Sequence, residues 1–189
     1  LKDKTIGIVG VGQVGSRVAK TCQILGMNVL LNDPPRERVE GSDKFVSLES
    51  IQKAADIITF HVPLNMEGKD ATFQLVSKDF LTHLKKKPLI INSCRGEVFD
   101  SGAVLNASVQ DSISGFIIDC WEGEPHVDLK LLNRSDYGTP HIAGYSKDGK
   151  ANGTMMSVQS ISKFFKFGID NWQPTGVELP EKKVINIDG

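Results

Sequence analysis

Strand-sized apolar runs alternate with helix-length segments from the first residues of the chain, the pattern of a parallel sheet covered by helices on both faces. Thr5-Ile6-Gly7-Ile8-Val9 opens the series. A helix is expected near 13–25, with Val14, Val18 and Leu25 as its apolar face and Gly26 as its end. Asn28-Val29-Leu30-Leu31 reads as the second strand. Asp33-Pro34-Pro35 closes it, because two prolines neither donate ladder bonds nor continue an element, and a polar loop over 36–46 follows. Ser47 and Ser77 are placed to cap short helices, the second running to about Leu84, with Asp56-Ile57-Ile58-Thr59-Phe60 a strand between them. Pro88 separates a solvated Lys85-Lys86-Lys87 run from a fourth strand, Leu89-Ile90-Ile91-Asn92. Asp100 caps a helix to about Val109, Gly115–Asp119 is a fifth strand, and Tyr137–Thr139 is a short sixth. A last helix within 146–167 carries Val158, Ile161 and Phe165 at i, i+3, i+7, and Gly168 stops it. The expected fold is α/β, a doubly wound parallel sheet over residues 1–168, with 169–189 an irregular, linker-like tail.

The chain has 189 residues, 40% hydrophobic and 24% charged, enough to bury a sizeable core. Twenty-two Lys and Arg against 23 Asp and Glu leave a net charge of −1, so neither nucleic acid nor an anionic membrane is an expected partner. No apolar run approaches the roughly 20 residues a membrane span needs. Cys22, Cys94 and Cys120 show no metal-ligand spacing. They read as reduced, buried thiols of a cytoplasmic protein, with no metal site.

Gly10-Val11-Gly12-Gln13-Val14-Gly15 fits GxGxxG between a buried strand and a helix, where such a turn binds a dinucleotide pyrophosphate. Gly10 permits the tight turn, Gly12 lets the backbone approach the anion, Gly15 allows close helix–strand packing, and the N–H groups at Gln13 and Val14 open the helix toward it. Asp33 stands 23 positions after Gly10, at the end of the second strand. A carboxylate there accepts bonds from an adenosine ribose and repels a 2′-phosphate, favouring NAD over NADP and a Rossmann-type domain. Arg36 reads as a solvated loop charge, with contact to a 2′-phosphate as the alternative.

Three polar segments follow the later strands: Asn92-Ser93-Cys94-Arg95-Gly96, Asp119-Cys120-Trp121-Glu122-Gly123-Glu124-Pro125 and Thr139-Pro140-His141-Ile142-Ala143-Gly144. Ligands of open parallel sheets bind beyond the carboxyl ends of the strands, so Arg95, Glu124 and His141 are expected around one crevice. A cation for a carboxylate, a base for a hydroxyl proton and an acid to orient that base are what oxidation of a hydroxy acid requires.

These segments, with the glycine turn, Asp33 and His61-Val62-Pro63-Leu64, resemble the D-isomer-specific 2-hydroxyacid dehydrogenases over nearly the whole chain. Within that family, the Cys120–Pro125 and His141–Thr154 stretches are most similar to the branch that oxidises 4-phosphoerythronate in pyridoxal phosphate biosynthesis. The resemblance implies that His141 is the general base, that Glu124 stabilises its protonated form and that Arg95 holds the substrate carboxylate. It also implies that His61, Pro63, Cys94, Asp119 and Gly144 join the cofactor site, with Arg95 and His141 touching cofactor and substrate alike. His61 reads equally as the end of a strand, and Tyr145 as a substrate-phosphate contact or a packed loop residue. The implied partner is a phosphorylated 2-hydroxy acid, and the implied parent a homodimer. Glycerate or phosphoglycerate as substrate, or a non-catalytic NAD-sensing protein, are the alternatives. Family members carry a separate substrate domain, so a chain opening at Leu1 reads as the cofactor part of a longer enzyme, binding NAD but turning over poorly alone.

Overall fold

The computed structural model describes residues 1–177, so 178–189 of the expected tail lie outside the described residues. The chain divides into two compact units, Leu1–His141 and Ile142–Gly189.

The first unit runs β1 (Thr5–Val9), α1 (Gln13–Ile24), β2 (Asn28–Asn32), α2 (Pro34–Glu40), α3 (Leu48–Ala54), β3 (Ile57–Phe60), α4 (Lys78–Thr82), β4 (Leu89–Asn92), α5 (Ser101–Val109), β5 (Gly115–Ile118), α6 (Leu129–Arg134) and β6 (Tyr137–Gly138). The six strands form one sheet in the order β2-β1-β3-β4-β5-β6, and every pairing is parallel. Strand order reverses at β1, where β2 lies on one side and β3 on the other. Register aligns the strand ends in a single row: Asn32 beside Val9, Val9 beside Phe60, Phe60 beside Asn92, Asn92 beside Ile118 and Ile118 beside Gly138. All six following loops therefore leave from one edge, which is where a doubly wound sheet holds its ligands.

Two apolar clusters cover the sheet. One gathers Ile51, Ile58, Phe60, Val76, Phe80, Phe99, Phe116 and Leu131, the other Ile6, Ile8, Ala19, Cys22, Met27 and Phe45. Phe60 sits edge-on to both Phe80 and Phe99, at 5.9 and 5.6 Å between ring centroids, a favoured aromatic geometry. All three cysteines are free and buried.

Local structure departs from expectation at five places. The buried stripe of α1 is Gly15, Ala19 and Cys22, whereas Val14 and Leu25 are exposed. Small residues face the sheet because the helix lies close to it: a Cβ at Gly15 would come within 2.0 Å of the Gly10 carbonyl oxygen. Asp33-Pro34-Pro35 starts a helix rather than a loop. Asp33 accepts the Arg36 N–H at 3.1 Å as N-cap, and the prolines occupy the first turn, whose N–H groups have no helical partner to lose. The helix after Ser77 ends at Thr82, short of Leu84. Asp128 caps α6, a helix hidden among the charges of Leu129–Arg134, through Lys130 N–H at 2.8 Å.

The fifth departure lies in the second unit, whose helix α7 (Lys147–Phe165) is capped by Ser146. It ends at Lys166, in the left-handed region at φ 58°, two residues before Gly168. Ile161 and Phe165 are exposed. The buried position is Ser162, whose hydroxyl donates to Asp170 at 2.5 Å and accepts the Ile169 N–H at 3.0 Å, folding the following turn back onto the helix. Among the described residues no helix is long and apolar enough to cross a membrane.

Candidate active site

A cleft of about 540 Å³ opens at the point where strand order reverses. Gly10, Gly12, Asp33, Pro34, His61 and Pro63 are among its lining. The glycine turn has the geometry its sequence demands. Gly10 holds φ +88°, and a Cβ on it would come within 2.6 Å of the His61 carbonyl oxygen, whereas a Cβ on Gly12 would meet nothing within 4 Å. The space above Gly12 is open, next to the start of α1 at Gln13 and Val14, where unpaired helix N–H groups can face an anion. Asp33 closes the turn from the side, its Oδ2 accepting the Val11 N–H at 2.8 Å. A loop opposite is tied to itself. The Thr72 hydroxyl donates to the Pro63 carbonyl at 2.5 Å and accepts the Asn65 N–H at 2.8 Å. His61 Nε2 meets the Thr59 hydroxyl at 3.1 Å, and burial pushes its pKa below the ordinary histidine value. Backbone cradle, ribose-side carboxylate and cleft fit the pyrophosphate and adenosine of a dinucleotide.

The other half of the edge, beyond β4, β5 and β6, carries a hydrogen-bonded histidine and carboxylate. His141 Nδ1 and Glu124 Oε2 are 2.7 Å apart. Glu124 Oε1 also accepts the Trp121 N–H at 2.5 Å. Burial pushes the Glu124 carboxyl up, but the bonds from His141 and Trp121 outweigh it and leave it below the usual carboxylate range. A carboxylate partner at Nδ1 favours the tautomer with its proton on that nitrogen. The His141 side chain is 45% exposed. His141 holds φ +52°, unusual for a residue with a Cβ, and its N–H donates to the Asp119 carbonyl at 2.8 Å. Arg95 is exposed after β4, its Nη1 donating to the Cys94 carbonyl at 2.6 Å.

Two residues that the sequence reading left without a role hold this half together. Asn92, fully buried at the end of β4, donates to the carbonyls of Arg95 at 2.9 Å and Cys120 at 3.4 Å and accepts the Cys94 N–H at 3.1 Å. Trp121, also buried, donates from its indole to the Thr139 carbonyl at 2.8 Å, joining the loops after β5 and β6. Position alone signals them: Asn92 is the last residue of β4, and Trp121 lies three residues past β5. Gly96 brings the first two loops into backbone contact, since a Cβ there would lie 2.0 Å from the Trp121 carbonyl.

The candidates thus fall in separate places. Gly10, Gly12, Asp33, His61 and Pro63 line the cleft, and Gln13, Val14 and Gly15 follow it into α1. Arg95, Glu124 and His141 lie on adjacent loops beyond β4, β5 and β6. Asp119 is buried and its Oδ1 accepts the Thr139 hydroxyl at 2.6 Å. Burial raises the Cys94 thiol, and burial with nearby Asp119 and Glu124 pushes Cys120 up to about 12, so neither is a thiolate nucleophile near neutrality. Gly144 and Tyr145 belong to the second unit, where Lys150 Nζ lies 3.6 Å from the centre of the exposed Tyr145 ring. Arg36 lies in α2 rather than in a loop, and its partly exposed side chain pairs with Glu40 at 2.6 Å. Its i, i+4 spacing to Glu40, just after a capping Asp and two prolines, was the available signal for α2. Among the described residues no cluster could hold a metal ion.

A parallel sheet with a glycine turn, a ribose-side carboxylate and a cleft together at its carboxyl edge is a dinucleotide-binding domain. Residues 1–143 match the family described as D-isomer specific 2-hydroxyacid dehydrogenase, NAD binding domain, and the chain belongs to that family. It is 55% identical over 161 residues to an erythronate-4-phosphate dehydrogenase of Bacteroides thetaiotaomicron, covering 85% of this chain and 46% of that protein. The chain spans about half the length of the curated relatives it matches. Among solved structures it is similar to a D-lactate dehydrogenase of Aquifex aeolicus complexed with NAD and lactic acid, with a TM-score of 0.68, 27% identity and coverage of 88% and 55% of the two chains. An NADPH-dependent glyoxylate/hydroxypyruvate reductase of Sinorhizobium meliloti, in complex with NADP and malonate, gives 0.67 at 28% identity, covering 77% and 45%.

Proposed function

We propose that this chain is the NAD-binding part of an enzyme that oxidises 4-phospho-D-erythronate to 2-oxo-3-hydroxy-4-phosphobutanoate, a step of pyridoxal phosphate biosynthesis. The observation that carries the chemistry is the 2.7 Å His141–Glu124 pair at the carboxyl edge of a dinucleotide-binding sheet. What supports the substrate is the 55% identity to an erythronate-4-phosphate dehydrogenase. When bound, NAD⁺ supplies the acceptor for the hydride leaving C2. His141 Nε2 takes the C2 hydroxyl proton as that hydride departs, and Glu124 stabilises the imidazolium that results. Arg95 holds the substrate carboxylate, with a planar fork that lysine cannot reproduce. Tyr145 is the proposed contact for the substrate phosphate. Gly10, Gly12, Gln13, Val14 and Gly15 hold the pyrophosphate, Asp33 the adenosine ribose, and His61, Pro63, Cys94, Asp119 and Gly144 border the rest of the cofactor. Residues 1–168 form this domain, and the intact enzyme is a homodimer in a reducing cytoplasm, the setting that three free thiols fit.

The test is NAD⁺ reduction by the full-length protein that carries this chain, across 4-phosphoerythronate, 3-phosphoglycerate, glycerate and lactate. Selective turnover of 4-phosphoerythronate is the expected result. Selective turnover of another acid keeps the family and overturns the substrate.

A further inference from the structure

Arg36 is a cation beside a dinucleotide cleft, three residues beyond the acid assigned to the ribose, and its donors are already engaged. Nε and Nη2 donate to the two carboxylate oxygens of Glu40 at 2.6 and 2.8 Å, a bidentate pair one turn along α2. Nη1 donates to the Val11 carbonyl, inside the glycine turn. The guanidinium carbon lies 5.5 Å from the centre of the Phe45 ring, which is buried. Three anchors in different directions fix the group, unlike an ordinary surface ion pair that samples many geometries. Asp33 completes the arrangement by accepting both the Val11 N–H and the Arg36 N–H.

A 2′-phosphate on the adenosine ribose needs a nearby cation with free donors, and an arginine in this region is what dinucleotide-binding folds use for it. The fold itself does not decide the matter, since the Sinorhizobium meliloti neighbour is solved with NADP. We propose that Glu40 is a specificity-determining residue, which withholds Arg36 from the 2′-phosphate and so adds to Asp33 in excluding NADP. The proposal rests on the reading that the cleft takes the adenosine end of the cofactor. Glu40 acts through Arg36 and is a positioning residue. Its carboxylate neutralises the guanidinium, occupies its forked edge and turns its remaining arm toward Val11.

Calorimetric titration of NAD⁺ and NADP⁺ into the chain and its Glu40→Gln, Arg36→Met and doubly substituted variants tests this. The NADP:NAD affinity ratio is the readout, because any loosening of the glycine turn that weakens both cofactors cancels in it. Glu40→Gln should raise the ratio about tenfold, as a charge-assisted contact becomes available. In the Arg36→Met background the same substitution should change it by less than about twofold. Glu40→Asp, one methylene shorter, should give a smaller shift in the same direction. An unchanged ratio in Glu40→Gln overturns the proposal, as does an equal rise without Arg36, which would make the effect one of bulk charge. If the unsubstituted chain binds neither cofactor, the reading of the cleft itself fails, an outcome distinct from an unchanged ratio.

Discussion

The two halves of the carboxyl edge are built on different principles. Beyond β1, β2 and β3 the site is made of backbone: a left-handed glycine, an open one and a close-packed one shape the turn, and Asp33 spends its carboxylate on main-chain N–H groups. Beyond β4, β5 and β6 the candidate groups are exposed side chains on loops, held by buried Asn92 and Trp121 beneath them. In the first half a glycine turn built from one local stretch of chain meets the loops after β2 and β3. The second draws its side chains from three separate loops, and the chain spans only about half the length of its curated relatives.

If the halves are distinct, they should separate under substitution. His141→Gln should lower turnover of the full-length protein about 10³-fold, the general-base contribution, with NAD⁺ affinity changed little. Loss of NAD⁺ binding in that variant would merge the two halves. A smaller effect is expected from Asn92→Ala, which leaves the Arg95 and Cys120 carbonyls and the Cys94 N–H without their buried partner. It should cost about 2 kcal/mol in denaturant unfolding and reduce turnover more than NAD⁺ affinity. An unfolding curve like that of the parent chain would show that the loops hold without it. The smallest effect concerns His61, on the cofactor side. Its folded pKa lies below the ordinary histidine value of 6.5 because burial disfavours the charged ring. The unfolded chain therefore binds the proton more readily. The stability from keeping the ring neutral is fully present above 6.5 and is lost as pH falls through that value toward the folded pKa. Urea unfolding between about pH 7 and about pH 5 should show a shallower acid loss in His61→Leu than in the parent chain. Equal slopes would mean that the imidazole is solvated.

The same contrast governs what could be read from sequence. The strand runs and the GxGxxG turn were legible because each is a local pattern tied to local geometry. Arg95, Glu124 and His141 were legible as residue types following consecutive strands. Asn92 and Trp121 were not, because their roles depend on which loops the register brings together, and a one-dimensional pattern carries no register between β4, β5 and β6. The face of α1 was misjudged for another reason: close approach to the sheet selects Gly15, Ala19 and Cys22 over larger apolar residues. Asp33-Pro34-Pro35 reads as a stop because proline breaks strands, yet the same residues satisfy the first turn of a helix.

On the proposed function, the open space above Gly12 holds the cofactor's pyrophosphate. A Cβ there would meet nothing within 4 Å, so Gly12→Val should leave the fold intact while filling that space. Titration of NAD⁺ into the chain and into Gly12→Val, with thermal unfolding of both, is the direct measurement. Binding by the first, none detectable by the second and matching unfolding curves are the predicted result. Equal affinity in the two would contradict the account.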